Sequence, residues 1–138
     1  MQTYSGIWRT KHVRIEMRVE GDDVVIQRIR GQKQKRKKLN IKIKYFKCLV
    51  EAVLNATTQQ PHYTLVNRTV VGMLEGGCGL VTLEWAPYWY GRCNALMIRG
   101  LVGQCISVEQ QDVLNFALWL AGQQLQIQAV AELNATNQ

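Results

Sequence analysis

A strict alternation of apolar and charged residues near the N-terminus most constrains what this chain can fold into. In residues 12–19 the two sets alternate one by one, Val13, Ile15, Met17 and Val19 against His12, Arg14, Glu16 and Arg18. Successive side chains of a β-strand point to opposite faces. The pattern therefore predicts a strand with one buried side and one charged side.

Two further segments extend this strand into a sheet. Residues 20–23, Glu-Gly-Asp-Asp, are typical of a turn, and residues 24–30 are the predicted hairpin partner, with Arg28 and Arg30 on one face. Residues 38–44 alternate again, with Leu39, Ile41 and Ile43 inward and Lys38, Asn40, Lys42 and Lys44 outward. An antiparallel sheet has one packed face and one solvated face in this way. The predicted solvated face is basic.

A helix follows, and then the same order of elements recurs about 63 residues later. The helix is predicted at residues 45–56 because Phe46, Leu49, Val50, Val53 and Leu54 have helical spacing. The second set of strands is predicted at residues 63–74, 80–85, 94–99 and 101–106. Residues 107–110, Ser-Val-Glu-Gln, match a helix capping box, and apolar residues at helical spacing follow from Val113 to Ala121. The same helix could continue past Gly122 through Leu125, Val130 and Leu133.

These elements predict an α+β fold built from two β-β-β-β-α repeats, with antiparallel sheets and helices packed on one face. The 138 residues are expected to form a single domain, 1–138. The first repeat covers about 1–60, the second about 61–125, and residues 126–138 form a C-terminal extension. Neither repeat alone would bury its apolar face well, so the two are expected to pack together.

The positive charge is concentrated at one end of the chain. Residues 1–56 hold 14 of the 17 Lys and Arg and five of the ten Asp and Glu, a net charge of +9, whereas residues 57–138 have a net charge of −2. The densest run is residues 32–38, in which five of seven residues are cations. Such asymmetry indicates a polyanionic partner, which can be nucleic acid, an anionic membrane or an acidic protein. Taken alone, the run could equally be a solvated loop or a localisation tag.

The twofold layout resembles the single-strand-binding superfamily that includes the Whirly proteins, the trypanosome guide-RNA-binding proteins and the positive-cofactor-four-type coactivators. The clearest local match is residues 106–117, Ile-Ser-Val-Glu-Gln-Gln-Asp-Val-Leu-Asn-Phe-Ala, which are similar to the Whirly strand that opens an acidic and then apolar helix. The resemblance implies a protein that binds single-stranded DNA or RNA. It also implies helices that pack between subunits into a dimer or tetramer.

Candidate binding residues follow from the chemistry of a single strand, whose phosphates attract cations and whose unpaired bases stack on aromatic rings. The phosphate candidates are Arg14, Arg18, Arg28, Arg30, Lys38, Lys42 and Lys44. A mobile clamp could come from Lys33, Lys35, Arg36 and Lys37. The stacking candidates are Trp8, which is near Arg9 and Lys11, then Tyr4 and Tyr45, and, in the aromatic segment 85–92, Trp89 with Arg92 as its cation. Buried aromatic residues are common, so Trp85 and Trp89 could instead fill the core or a subunit contact.

Other functions have weaker support in the sequence. The basic face could dock an acidic protein partner in an assembly, or the protein could bind double-stranded DNA or structured RNA. No metal, cofactor or catalytic site is expected, because His12 and His62 lie far apart and residues 76–79, Gly-Gly-Cys-Gly, lack the Lys-Ser/Thr of a phosphate-binding loop. We expect a protein that is not an enzyme.

The predicted second helix is apolar around most of its circumference, which indicates a homo-oligomer. The N-terminus has no apolar core of a signal peptide and no segment is long enough to span a membrane. An intracellular location, in the cytoplasm, nucleoid or an organelle matrix, with no membrane partner, is therefore expected.

Overall fold

The computed structural model describes residues 4–11, 13–29, 37–58, 69–73, 80–89, 93–100 and 104–136. The first half of the chain forms β1 (Ser5–Arg9), β2 (Arg14–Glu20), β3 (Asp23–Ile29), β4 (Lys37–Lys42), a 3₁₀ turn (Ile43–Tyr45) and α1 (Phe46–Ala56). The second half forms β5 (Thr69–Met73), β6 (Leu80–Trp89), β7 (Cys93–Arg99), β8 (Cys105–Glu109), a 3₁₀ turn (Gln110–Asp112) and α2 (Val113–Thr136). Each half contributes one antiparallel sheet, whose four strands lie side by side in chain order. The predicted α+β class, with two antiparallel sheets and two helices, is confirmed.

The turn between β2 and β3 sets the register of the first sheet. Gly21 has a φ of 59°, in the left-handed region that glycine adopts without steric cost. Glu20 pairs with Asp23 across this turn. The turn predicted at residues 20–23 is confirmed.

The register collects the apolar residues of the first sheet on one face, which we call the inner face. Met17 of β2 lies opposite Ile26 of β3, and Ile26 lies opposite Leu39 of β4. The other buried apolar members of this face on β2, β3 and β4 are Ile15, Val19, Val24 and Ile41. The inward orientation that the alternation predicts for these residues of β2 and β4 is confirmed.

The first helix lies close to its predicted bounds, but the strand before it is shorter than predicted. α1 buries Phe46, Leu49, Val50, Val53 and Ala56. β4 ends at Lys42, two residues before the predicted end. The backbone N–H of Ile43 donates to the carbonyl oxygen of Asp22 at 2.8 Å, and the chain turns there into the 3₁₀ segment. Lys44 therefore lies in a turn and not on a strand face.

The second sheet packs into the same apolar core as the first. Its inner face consists of Val81, Leu83, Trp85, Leu96, Ile98, Ile106 and Val108. β6 continues four residues beyond the predicted end at Trp85, so residues 86–89 belong to a strand and not to a loop. An irregularity in the register between Ala86 and Trp89 accommodates this extension.

The predicted capping box at residues 107–110 is wrong. Ser107 lies within β8 and pairs with Met97 of β7, so it cannot cap a helix. β8 runs to Glu109, and a 3₁₀ turn separates it from α2. Residues 107–109 pair with β7, so their backbone is extended and does not begin a helix.

The second helix is one continuous element with apolar residues on opposite sides. Residues 126–136, predicted to form an extension, continue α2 to Thr136. One side is buried and contains Val113, Phe116, Ala117, Leu120 and Ile127. Leu114, Leu118 and Leu125 are 57%, 57% and 78% exposed on the opposite side. In the described part of the chain, neither helix combines the length and the hydropathy that a membrane span requires.

The first strand and the second helix meet at a close contact. The Trp8 ring packs edge-on against Phe116, with ring centroids 5.2 Å apart. A Cβ atom at Gly6 would lie 2.6 Å from the Tyr4 hydroxyl and 3.3 Å from the Trp119 ring, so only glycine fits there without a shift of its neighbours. The Tyr4 hydroxyl donates a hydrogen bond to the Gln123 side-chain oxygen of α2. Both halves of the chain therefore contribute to one hydrophobic core.

Candidate functional site

The candidate site is the outer face of the first sheet, which we define as the side opposite its inner face. Cross-strand pairing of Ser5 with Arg18, Ile7 with Glu16 and Arg9 with Arg14 places β1 residues on this face. Its charged members among the described residues are Arg9, Arg14, Arg18, Lys38, Lys42, Glu16, Glu20 and Asp23. The arrangement confirms that Arg14, Arg18, Lys38 and Lys42 lie on the charged side of their strands.

Three of these cations are already paired with carboxylates of the same face. Arg14 Nε lies 3.3 Å from Glu16 Oε1, and Lys42 Nζ lies 3.2 Å from Asp23 Oδ1. Arg18 pairs with Glu20. The alternation predicted cations but gave no weight to these carboxylates, so the outer face is less positive than predicted.

The contact between Arg18 and Glu20 changes the pKa of the Glu20 carboxyl. The hydrogen bond from Arg18 lowers the pKa of the Glu20 carboxyl, with smaller contributions from the charges of Arg18 and Lys38. Arg18 also donates to the Gln27 side-chain oxygen at 2.9 Å. Arg18 is thus held by two neighbours, the buried Gln27 and the exposed Glu20. Its ion pair with Glu20 lies at the surface, where ion pairs contribute little to stability.

Other cations of this region form no close ion pair with a carboxylate among the described residues. Arg9, Lys11 and Lys38 lie in none of the ion pairs of the described chain. Arg9 and Lys11 are both exposed, and Arg9 lies directly opposite Arg14. Sequence reasoning did not select Arg9 or Lys11. The signal for Arg9 was present, because it alternates with Trp8 and so shares a face with Ile7.

Arg28 was predicted as an outward phosphate ligand, and this prediction is wrong. It pairs with Ile15 across the sheet, so it lies on the inner face, and only 6% of it is exposed. Its guanidinium donates a hydrogen bond to the hydroxyl of Ser107 on β8. Residues 24–26, Val-Val-Ile, are apolar on both faces of β3, so the alternation alone could not show which face holds Arg28.

Trp8 was predicted to stack on bases, and this prediction is also wrong. The side chain is 8% exposed and packs on Phe116 in the core. Tyr45 is half-buried in the 3₁₀ turn, with Lys44 Nζ 5.1 Å from its ring centroid. This cation–aromatic pair lies next to the end of β4, and the Tyr45 ring also packs against the hydrophobic core.

Several predicted site residues lie outside the described residues. These are Arg30, Lys33, Lys35, Arg36 and Arg92, together with the side chains of Lys37 and Trp89. The backbone pairing of Arg28 with Lys37 nevertheless shows where β3 leaves the first sheet and where β4 enters it. Both points lie at the end of the sheet that also holds Arg9 and Arg14, since Arg14 pairs with Ile29.

The outer face of the second sheet has a different chemistry. Ala95, Met97 and Cys105 form a small buried apolar cluster there, with Ala86 packed against it. Arg99, on the same side, pairs with the buried carboxylate of Glu84. The two sheets therefore have the same order of strands, but their outer faces differ in chemistry.

The described residues contain no group of three or more His, Cys, Asp or Glu side chains that could hold a metal ion. Comparison with models of known protein families gives no match, and no curated protein sequence matches the chain.

Proposed function

We propose that the protein binds single-stranded nucleic acid, with DNA favoured over RNA, on the outer face of the first sheet. The observation that carries the proposal is the set of cations that lie in none of the ion pairs of the described chain, namely the exposed Arg9 and Lys11 and the half-buried Lys38. Phosphates of a single strand neutralise such cations and release counterions. The segment between β3 and β4 adds four cations and no carboxylate, Arg30, Lys33, Lys35 and Arg36.

The order of elements supports placing the chain in the Whirly-like superfamily. Four strands and a helix occur twice, each time with a short 3₁₀ turn before the helix. In this proposal the two halves are β-β-β-β-α repeats, and only the first retains a basic sheet. Base stacking has a smaller role than the sequence suggested, because Trp8 is in the core. Of the predicted stacking residues whose side chains are described, Tyr45 is the one that is only partly buried.

Two alternatives are distinguished by specific observations. Arg14, Arg18 and Lys42 already bind carboxylates of their own chain, which favours an acidic protein partner as the second candidate. Duplex binding has less support, because α2 contains no Lys or Arg and α1 contains only Lys47. A recognition helix normally brings such side chains to the major groove.

We also propose that the protein is a homo-oligomer, a dimer or tetramer, that assembles through α2. Leu114, Leu118 and Leu125 form an exposed line along one side of this helix, which we call the leucine ridge. Glu132 is the only charged residue of α2, so the ridge is suited to an apolar copy of itself and not to a charged partner.

The test of the nucleic-acid proposal is fluorescence anisotropy with a labelled 30-nucleotide single strand, its duplex and poly-glutamate at several salt concentrations. We expect the single strand to bind more tightly than the duplex, with an affinity that falls steeply as salt increases. Equal or tighter duplex binding would reject single-strand specificity. Binding of poly-glutamate but of neither nucleic acid would indicate that the basic face binds an acidic protein partner.

A further inference from the structure

We infer that the phosphate-binding site is concentrated at one end of the first sheet, around Arg9, Lys11 and Arg14, and does not extend over the whole outer face. This inference rests on the proposed function and identifies two ligands, Arg9 and Lys11, that the sequence pattern did not select. The ligand is the phosphodiester backbone of a single strand. The chemistry of recognition is that of guanidinium and ammonium groups toward a phosphate oxygen.

The first argument is the cross-strand pair Arg9–Arg14. Two like charges directly opposite each other on an antiparallel pair destabilise a sheet. Glu16 is the one carboxylate paired with either side chain in the described chain, and it lies 3.3 Å from Arg14 Nε. Local departures from stability rules tend to occur at functional sites, and an anion between the two guanidinium groups would relieve this repulsion.

The second argument is the exposure of the neighbouring turn. Lys11 is exposed in the turn between β1 and β2. That turn is ordered by hydrogen bonds from the Thr10 N–H to the Val13 carbonyl at 2.9 Å and from the Val13 N–H to the Thr10 hydroxyl at 3.1 Å. These hydrogen bonds join Thr10 to Val13 and so restrain the backbone that carries Lys11, which reduces the backbone entropy lost on binding.

The third argument is the opposite charge balance at the other end of the sheet. There the β2–β3 turn brings together Glu20, Asp22 and Asp23. The cations at that end, Arg18 and Lys42, are paired with two of these carboxylates. A phosphate at this end would have to displace a carboxylate and would meet a further negative charge, whereas at the Arg9 end it meets two cations without carboxylate partners in the described chain.

The test compares two double variants that remove the same formal charge from opposite ends of one face. R9Q/K11Q removes the two cations that form no ion pair in the described chain. R18Q/K42Q removes the two cations that are paired with Glu20 and Asp23. Each variant is titrated with fluorescein-labelled dT30 between 50 and 300 mM NaCl. Each phosphate contact to a single strand contributes about 0.7 to the slope of log affinity against log salt. We therefore expect the slope to become shallower by about 1.4 in R9Q/K11Q, and by less than half of that amount in R18Q/K42Q.

The outcomes separate this inference from the proposed function. If wild type does not bind dT30 at 50 mM salt, the proposed function fails and this site fails with it. If wild type binds but R18Q/K42Q loses as much slope as R9Q/K11Q or more, only the localisation to the Arg9 end is wrong. Should the double variant unfold, the single variants R9Q and K11Q replace it, each with an expected loss of about 0.7 in slope.

Discussion

Arg28 and Ser107, 79 residues apart in the chain, join the two sheets through a hydrogen bond from a buried guanidinium to a buried hydroxyl. Both side chains are 6% exposed. A buried charged donor that loses an acceptor bears a desolvation penalty, so this contact contributes more to stability than a surface pair would.

The variant S107A is expected to lower the free energy of unfolding by about 1–3 kcal/mol. Chemical denaturation of S107A, R28M and the double variant would measure the coupling, expected at about 0.5–3 kcal/mol. R28M should leave the affinity for single-stranded nucleic acid within about twofold of wild type, because Arg28 is not on the outer face. A folded R28M protein that bound as weakly as R9Q/K11Q would contradict this assignment.

Variants at Trp8 distinguish a role in core packing from a role in base stacking. W8A should cost about 3–5 kcal/mol of stability, because it removes a buried ring that packs on Phe116. W8F should cost less and should bind a single strand as tightly as wild type. Thermal unfolding and anisotropy on the same preparations measure both quantities. If W8F had wild-type stability but bound the single strand tenfold more weakly, Trp8 would have to contact the nucleic acid.

Glu16 restrains a cation of the proposed phosphate site, so its removal should improve binding. E16Q frees Arg14 from its 3.3 Å contact and should tighten dT30 binding and steepen the salt slope by about 0.7. E20Q is the matched control, since it removes the same charge from the opposite end of the sheet. We expect a smaller gain for E20Q. Equal gains for both variants would indicate a general effect of net charge.

Burial raises the pKa of the Tyr4 hydroxyl to about 12 from its usual value of 10.0. The folded chain therefore keeps this proton at pH values at which the unfolded chain has lost it, so stability decreases as pH rises from about 10 to about 12. Unfolding of wild type and Y4F at pH 9, 10 and 11 tests this, and Y4F should show the smaller decrease. Parallel curves would show that Tyr4 does not titrate in this way.

The leucine ridge predicts the oligomeric state. L118Q/L125Q should convert the oligomer to a single chain, because both side chains are exposed in one subunit and lie on the same side of α2. L133Q is the control, since Leu133 is also exposed but lies off this line. Light scattering coupled to size exclusion measures both. A wild-type protein that is monomeric at micromolar concentration would reject the proposed assembly.

The sequence predicted the inner faces of β2 and β4 and the buried side of α1, because in each case one periodicity was unambiguous. It could not assign Arg28, since β3 is apolar on both faces and only its pairing with β2 shows that Arg28 lies opposite Ile15. The ion pairs differed in whether the sequence alone could predict them. Arg14 and Glu16 are two residues apart on one strand, so their contact was readable from the sequence. The pair between Asp23 and Lys42 depends on the register of two strands.

Trp8 shows a different limit. It was linked to Arg9 because the two are adjacent in the chain, but adjacent residues of a strand point to opposite faces. Trp8 therefore faces the core while Arg9 faces solvent. The same rule, applied to Ser5–Arg9 from the start, would have placed Arg9 among the candidate ligands and Trp8 among the buried residues.

The apolar core shared by both halves also determines how the chain could be divided. Phe116 and Leu120 of α2 belong to the same cluster as Trp8 and Ile15 of the first sheet. A fragment ending after α1 would expose the surface that α2 covers, and the remaining fragment would lose the strand on which Phe116 packs. We therefore expect that neither piece holds its fold in isolation. Mixing the two separately expressed fragments should restore structure, which makes the boundary between α1 and β5 a site for a split reporter whose signal depends on reassembly.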